Sequence, residues 1–462
     1  MNSSQEARLE RTARRHRPAR LHSQAQWQRA KQTGGDFAAG GSEVALKCLI
    51  VLLCLPEGFS FFIGDFRLSW ARLFIIILTL YAAAQYVQRS RVFVASDGFA
   101  AAAGFWMILA AIVVQGPSAG LKSGGIIALE FSGAYLIFRT LLSGVDGSVR
   151  VVAFAGKLLF LIVALAVLDP LTNKPFTYET VKAVTGYTIP GYEFAKATLA
   201  DTMYRKGLVR AMGPFEHSIL FGSICAWIGT LAICTFPARL IGWSTAIVAL
   251  LGILASQARG PLLAYAISLA LVTYYYVCNR FSAKWMALGG LGLLGLFVVI
   301  LGSSNPLASL MNLSGIDSTT LWNRQAIWEA VVPLLMQQSP TFGLGVDVEW
   351  DWYRYGLYGE SVDSMWLRIA MTLGIPASVL VMFTMIGGYF SGSLDKSPYL
   401  SREEQRLSVA LGIVTFAAIF IGFTVHFWGT CWVLLGAFAG MRANLVAARA
   451  YRRKIARVNN EK

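Results

Sequence analysis

Three arginines stand at the edges of long apolar runs in this 462-residue chain. Arg210 precedes Gly213-Pro214, Arg259 lies within Ser256-Gln257-Ala258-Arg259-Gly260-Pro261, and Arg324 opens a helix-like segment between two such runs. A guanidinium stays charged at any physiological pH and offers a planar fork of donors that matches phosphate oxygens. Helix N-termini add free N–H groups and partial positive charge, so arginines beside them suit a phosphate or pyrophosphate. Arg205 is a further cation on the approach to Arg210. The plainer alternatives are a lipid-headgroup contact for Arg259 and a loop end for Arg210.

Proton-handling groups accompany the arginines. His217, with Glu216 before it, either takes a proton from an attacking hydroxyl or is a hydrogen-bonded interfacial residue. Asp363, followed by Ser364, is either a general base or the N-cap of the next helix. Glu57 and Glu130 fall in the outer parts of apolar runs, where an ionisable group usually faces a protein cavity or is hydrated at a span end. His426 reads as a lone, solvated histidine at a turn. No His and Cys spacing fits a metal, no glycine loop fits a phosphate, and no Ser-His-Asp order stands out. The expectation is a metal-independent mechanism with no cofactor.

The elements that must position these groups are membrane helices. Hydrophobic residues make up 56% of the chain and charged ones 14%, with a mean hydropathy of +0.55. The apolar runs have helix length, about 20 residues to cross about 30 Å of hydrocarbon, so an all-α polytopic protein is expected. Twelve spans are read near 43–63, 70–87, 99–115, 124–142, 151–168, 214–236, 239–257, 260–278, 284–302, 364–390, 408–426 and 427–447. Prolines 214 and 261 suit helix starts, because the first-turn N–H has no internal partner.

Residues 1–42 form an Arg- and Gln-rich segment read as a disordered tail, and 448–462 form a second basic tail. Arg and Lys at Arg89 to Arg91, Gly144 to Arg150, Asn279 to Lys284 and Asp395 to Arg406 put both ends in the cytoplasm. The long connections 169–213 and 303–363 then lie outside, flanking the transmembrane domain's site within 43–447. In the second, Leu321, Trp328, Val331 and Leu335 form one stripe of a surface helix, with Trp322 beside it, bent and ended by Pro333 and Pro340. The net charge of +15 belongs to membrane topology rather than to nucleic acid, and the six cysteines behave as small hydrophobes. Gly388-x-x-x-Gly392 and Gly436-x-x-x-Gly440 point to close helix packing.

Four stretches in order also carry a family resemblance: Gly213 to Gly222 (GPFEHSILFG), Ser256 to Leu262 (SQARGPL), Asn323 to Gly345 (NRQAIWEAVVPLLMQQSPTFGLG) and Asp363 to Pro376 (DSMWLRIAMTLGIP). Together they resemble the O-antigen ligase and Wzy-type polysaccharide polymerase superfamily of bacterial membrane glycosyltransferases, over roughly the second half of the chain. The resemblance implies sugar units on undecaprenyl pyrophosphate, transferred at the periplasmic face of the inner membrane into exopolysaccharide, capsule or O-antigen. It implies Arg259, Arg210 and Arg324 on the pyrophosphate and a base on the acceptor hydroxyl, with membrane lipid and a chain-length regulator or export machinery as partners. Family ligases show a histidine followed by asparagine where this chain has Asp363-Ser364, which favours the polymerase subclass. The alternatives are a ligase acting on lipid A core, a flippase or other transporter, and a non-catalytic scaffold. A transporter is expected to hold its polar groups near the midplane and to show repeats, and neither is legible in this sequence.

Overall fold

The computed structural model describes residues 36–56, 58–63, 66–88, 92–186, 203–205, 207–278, 283–302, 318–346, 348, 350, 352–357, 361–390 and 401–460. Glu57, residues 1–35 of the basic tail, 187–202 and 303–317 of the long connections, the 89–91 turn, and residues 279–282 and 395–400 of the next two basic turns lie outside them.

Each apolar run forms a helix. In order these are α1 (Asp36–Leu53), α2 (Trp70–Gln88), α3 (Ala95–Gln115), α4 (Pro117–Ala128), α5 (Ala134–Leu141), α6 (Gly144–Thr172), α7 (Phe176–Thr185), α8 (Ser218–Thr235), α9 (Leu240–Ser256) and α10 (Arg259–Val277). They continue as α11 (Lys284–Gly302), α12 (Ser318–Gln338), α13 (Met365–Leu373), α14 (Ile375–Phe390), α15 (Arg402–Ile421) and α16 (Thr430–Asn460). Among the described residues eight helices are long and apolar enough to cross a membrane, α4 and α5 counting as one through a π-helical turn at Leu129–Gly133. Two shorter apolar helices, Leu240–Ser256 and Ile375–Tyr389, accompany them.

Several expectations need correction. The 43–63 span ends at Leu53, because Pro56 and Gly58 stop the helix, and the chain turns instead through an antiparallel hairpin of β1 (Ser60–Ile63) and β2 (Phe66–Ser69). A second small hairpin pairs β3 (Tyr204–Arg205) with β4 (Leu208–Val209), so the fold is nearly rather than wholly helical. The 364–390 span is two helices broken at Gly374, whose φ of +85° suits glycine and whose Cα has backbone of Thr341 and Phe342 against it. Helix is already present from Asp36, inside the segment read as a disordered tail, and α16 runs to Asn460 through the second one. By contrast, α12 holds Pro333 inside it and ends at Gln338, just before Pro340, where the sequence places its end.

The centre of the bundle is α8 and α16, whose apolar windows are each 94% buried, against 17% for α2 at the rim. Small residues allow this closeness where lipid tails compete with every apolar contact. A Cβ on Gly222 of α8 would meet Ser256 Oγ at 2.8 Å and Pro261 at 3.1 Å. Gly436 and Gly440 of α16 lie against the Phe131 and Tyr135 carbonyls, so this glycine pair packs as expected, while Gly392 lies outside the described residues. Alternating hairpins gather the ends of α6, α9 and α15 with the starts of α8, α10, α13 and α16 at one end of the bundle. The links are Met212 and Gly213 on Asp169, Ala211 on Ala255, and Met365 on Gly422.

Candidate functional site at one end of the bundle

The Ser256 to Pro261 stretch is a tight hairpin between α9 and α10. Gln257 takes the left-handed conformation at φ +52°, Ser256 Oγ accepts from the Ala258 N–H at 3.3 Å, and Arg259 is the first helical residue of α10. Pro261 is therefore third in its helix, still within the first turn where a missing N–H costs nothing. Ser256 is fully buried whereas Arg259 is exposed, and none of the described residues hydrogen-bonds or ion-pairs the Arg259 guanidinium.

A second segment, 203–217, wraps this hairpin. Arg205 Nη1 donates to the Gln257 carbonyl at 2.8 Å, Arg210 Nε donates to the Ser256 carbonyl at 3.1 Å, and the Ala211 N–H donates to Ala255 at 3.0 Å. Carbonyls at a helix C-terminus lack intrahelical partners and carry partial negative charge, so cations collect there. The segment is pinned from below by Asp169 near the end of α6. Its Oδ2 accepts from the Met212 N–H at 2.9 Å and the Gly213 N–H at 3.0 Å. Burial, and secondarily the Arg205 charge, pushes Arg210 down to about 10.

The helix of the sixth span starts at Ser218, not at Pro214, and His217 is its N-cap rather than a residue one turn inside. His217 Nδ1 accepts from the Ile219 N–H at 3.0 Å. Burial, aided by Arg210, lowers this imidazole to about 4. A neutral ring whose Nδ1 accepts carries its proton on Nε2, so the remaining face donates. Glu216 is engaged beside it, with Oε2 accepting from Trp428 Nε1 at 2.7 Å. Trp428 also holds both histidines, His217 at 5.8 Å and His426 at 5.3 Å between ring centroids. His426 is thus half-buried and packed, not solvated as its lone position suggested, and burial with Arg368 nearby lowers it to about 3.

The third contribution comes from α12 and the 361–364 turn. A buried stripe of Ile327, Ala330, Val331 and Leu335 packs α12 against Trp350, Leu357, Val362 and Leu367, leaving Trp322 exposed. The expected stripe is right at Val331 and Leu335; Trp328 is only partly buried and stacks on Phe423 at 6.2 Å. Arg324 Nε and Nη1 are buried and unpaired among the described residues. Burial lowers Arg324, Arg205 lowers it further, and Asp363 opposes both. Asp363 is raised by burial, against the pull of Arg324 and of Ser361, whose Oγ donates to Oδ1 at 3.1 Å. Asp363 is not the helix cap: that place belongs to Ser364, whose Oγ accepts from the Leu367 N–H at 3.4 Å and donates to the Gly422 carbonyl at 3.2 Å.

The structure therefore brings Arg205, Arg210, Glu216, His217 and Arg259 together around one hairpin, and links Arg324 and Asp363 to them through the Arg205 field. Glu130 stands apart, ion-paired to Arg72 at 2.7 Å. Sequence reasoning missed Asp169, Arg368 and Trp428. Asp169-Pro170 at the end of an apolar run is the one local signal of the three, since an acid there needs a partner.

No curated protein matches the chain closely enough to count as a relative. A family model described as O-antigen ligase matches residues 244–382, from within α9 into α14, a stretch that holds Arg259, Arg324, Asp363 and Ser364 but not Arg205, Arg210, Glu216 or His217. That match covers under half of the chain and supports the resemblance to the O-antigen ligase and Wzy-type superfamily over this stretch.

Proposed function

We propose that the protein extends polysaccharide at the periplasmic face of the bacterial inner membrane, using glycan repeat units carried on undecaprenyl pyrophosphate. The observation that carries this reading is the gathering of Arg205, Arg210, Arg259 and Arg324 at one end of an apolar bundle, with Arg324 Nε and Nη1 buried and unpaired among the described residues and the Asp363 charge acting on them. The family's substrates, lipid-linked glycans, have the matching chemistry: a pyrophosphate between sugar and lipid.

In this mechanism the arginines hold the pyrophosphate. Asp363 takes the proton of the acceptor hydroxyl, the hydroxyl oxygen forms a bond to the anomeric carbon, and the bond from that carbon to the pyrophosphate oxygen breaks. Charge grows on the departing pyrophosphate, where fixed guanidinium groups stabilise it in the transition state. The raised pKa of Asp363 makes it a stronger base than an exposed carboxylate. His217, with its proton on Nε2, donates a hydrogen bond instead of accepting a proton. The ligase reading is favoured by the family description, while His426, lowered to about 3, is too weak a base to stand in for the histidine absent at 363.

The test is incubation of the purified protein with lipid-linked oligosaccharide, without nucleotide sugar or ATP. Longer lipid-linked chains are expected; transfer to lipid A core means a ligase, and movement across a vesicle without chemistry means a transporter. Arg259→Ala, at an exposed position, should fold normally and abolish growth, while Arg259→Lys keeps the charge but loses the fork and should recover only part. Full-length polymer from the Arg259→Ala protein sinks the clamp.

A further inference from the structure

A second polar recess opens at the same end of the bundle, on the other side of the α15 to α16 turn. It is small and partly open, so a sugar would lie across its mouth rather than be enclosed by it. Its polar groups are Arg72, Glu130, Ser69 and Thr430, and its aromatic ones Trp70 and Phe59. Thr430 lies two residues from Trp428, the ring that holds Glu216 and the two histidines, so the two sites share one turn.

Glu130 sits on the π-helical turn Leu129–Gly133, with its carboxylate 7% exposed and 2.7 Å from Arg72 Nε. A π-turn inside an α-helix is uncommon and is found often at functional sites. This one is braced from behind: Trp432 stacks on Phe131 at 4.7 Å and donates Nε1 to the Ile127 carbonyl at 3.0 Å, and Gly436 lets α16 approach the Phe131 carbonyl. In front of the ion pair the aromatic residues stay open, Trp70 at 50% and Phe59 at 38% exposure, with Phe61 5.2 Å from the Trp70 ring.

The charges select the ligand class. Arg72 is compensated by Glu130, so an anion gains little there, which excludes a second phosphate site. A carboxylate that accepts and a guanidinium that donates, side by side, match neighbouring hydroxyls, each of which both donates and accepts. The flat aromatic faces, negative at the ring centre, match the C–H faces of a pyranose. We infer that the Arg72–Glu130 recess binds the neutral sugar of the acceptor glycan, and so delivers its terminal hydroxyl across the Trp428–Thr430 turn to the arginine site. This rests on the glycan-transfer reading above and adds the acceptor's place to it.

The experiment uses the full-length protein in lipid nanodiscs. The probe is the water-soluble glycan released by mild acid from the lipid-linked fraction of cells that carry the protein, read by saturation-transfer NMR, with transfer on the intact fraction measured in parallel. Glu130→Gln and Trp70→Ala should weaken probe binding by about tenfold, the effect of losing roughly 1.4 kcal/mol. Trp70→Phe should restore it, and Arg259→Ala should leave it intact while stopping transfer. Thermal unfolding separates folding defects, and Trp70, being half exposed, can be changed with little structural cost. Unchanged probe binding in both the Trp70→Ala and Glu130→Gln proteins overturns the inference and marks Trp70 as an interfacial anchor only. Transfer by the wild type without probe binding also overturns it while sparing the function; probe binding without any transfer spares the recess and overturns the function; neither signal removes both.

Discussion

Asp169 offers the most direct test of how the site is held. One oxygen of this 1% exposed carboxylate accepts two backbone N–H groups, from Met212 at 2.9 Å and Gly213 at 3.0 Å. Hydrogen bonds to a charged group contribute about 1.5–3 kcal/mol each, so Asp169→Ala removes about 3–6 kcal/mol and leaves two buried donors without partners. That is a large share of the roughly 5–15 kcal/mol that holds a domain together. Asp169→Asn keeps an acceptor oxygen, and because charge-assisted bonds are about twice as strong as neutral ones, it should lose about half as much. The Asn protein should fold, unfold at a lower temperature, and turn over more slowly, since a shift of about 1 Å in a positioned group costs on the order of 10² in rate. The mechanism is specific: Asp169 acts through the segment that carries Arg210. Thermal unfolding and steady-state glycan transfer on Asp169→Asn, Arg210→Gln and the double variant check it. If the two sites work through one strand, the losses in turnover do not add. Additive losses, or a destabilised Asp169→Asn protein with full turnover, refute the reasoning.

Other outcomes follow from the same geometry. Asp363→Asn should lower turnover by about 10²–10⁴ and remove the acid limb of the rate profile, which in the wild type should lie above the ordinary carboxylate range because burial raises Asp363; an unchanged limb moves the base elsewhere. His217→Asn retains an N-cap acceptor for Ile219 and should keep most activity, whereas His217→Ala should cost about 0.5–2 kcal/mol in stability; complete loss of transfer in the Asn variant would falsify the assignment of His217 as a donor. His217 and His426 have folded values of about 4 and about 3, below the unfolded value near 6.5. The unfolded chain therefore binds more protons between those limits, so stability is full above about pH 6.5 and falls as the pH drops toward 4, by on the order of 3 kcal/mol for His217. A melting temperature flat from pH 7 to 4.5 contradicts this.

The helices were legible because apolarity over about 20 residues is a local property. Every expected span contains helix, although 43–63 gives way to a hairpin after Leu53, 364–390 is two helices, and only eight of the described helices meet the length and apolarity of a crossing. The arginine hairpin was legible for the same reason: Gln257, Gly260 and Pro261 mark a break wherever the chain goes next. The fracture at Gly374 was less visible, since the residues on both sides are apolar and the demand for glycine comes from Thr341, brought there by the fold. Trp428 was out of reach, as its bond to Glu216 spans 212 residues. His426 was misjudged because a histidine at a turn exposes itself unless something distant covers it, and here Trp428 does. The π-turn at Leu129–Gly133 leaves no trace in periodicity over so few residues.

Buried arginine nitrogens without a hydrogen-bond partner among the described residues occur both at the site and away from it, and the charges around them bear on what the site binds. Away from the site Arg139 is met by Asp97 at 2.9 Å and the Val92 carbonyl at 2.7 Å, Arg452 by Glu404 at 2.6 Å, and Arg442, whose Nε and Nη2 have no hydrogen-bond partner among the described residues, lies over the Tyr389 ring at 4.5 Å. A buried cation needs such company, because desolvation costs several kcal/mol for each unpaired ion. At the site Arg205 and Arg210 turn to carbonyls, Asp169 and Glu216 are engaged by backbone N–H groups and Trp428, and Arg324 has two buried nitrogens unpaired among the described residues, with the Asp363 charge acting on it. Among the described residues, Asp363 opposes the burial of the Arg324 charge while Arg205 adds to its cost. In the proposed mechanism a ligand bearing two adjacent negative groups would meet these cations, most strongly when a leaving pyrophosphate gains charge, which is the condition for lowering a barrier rather than only holding a substrate.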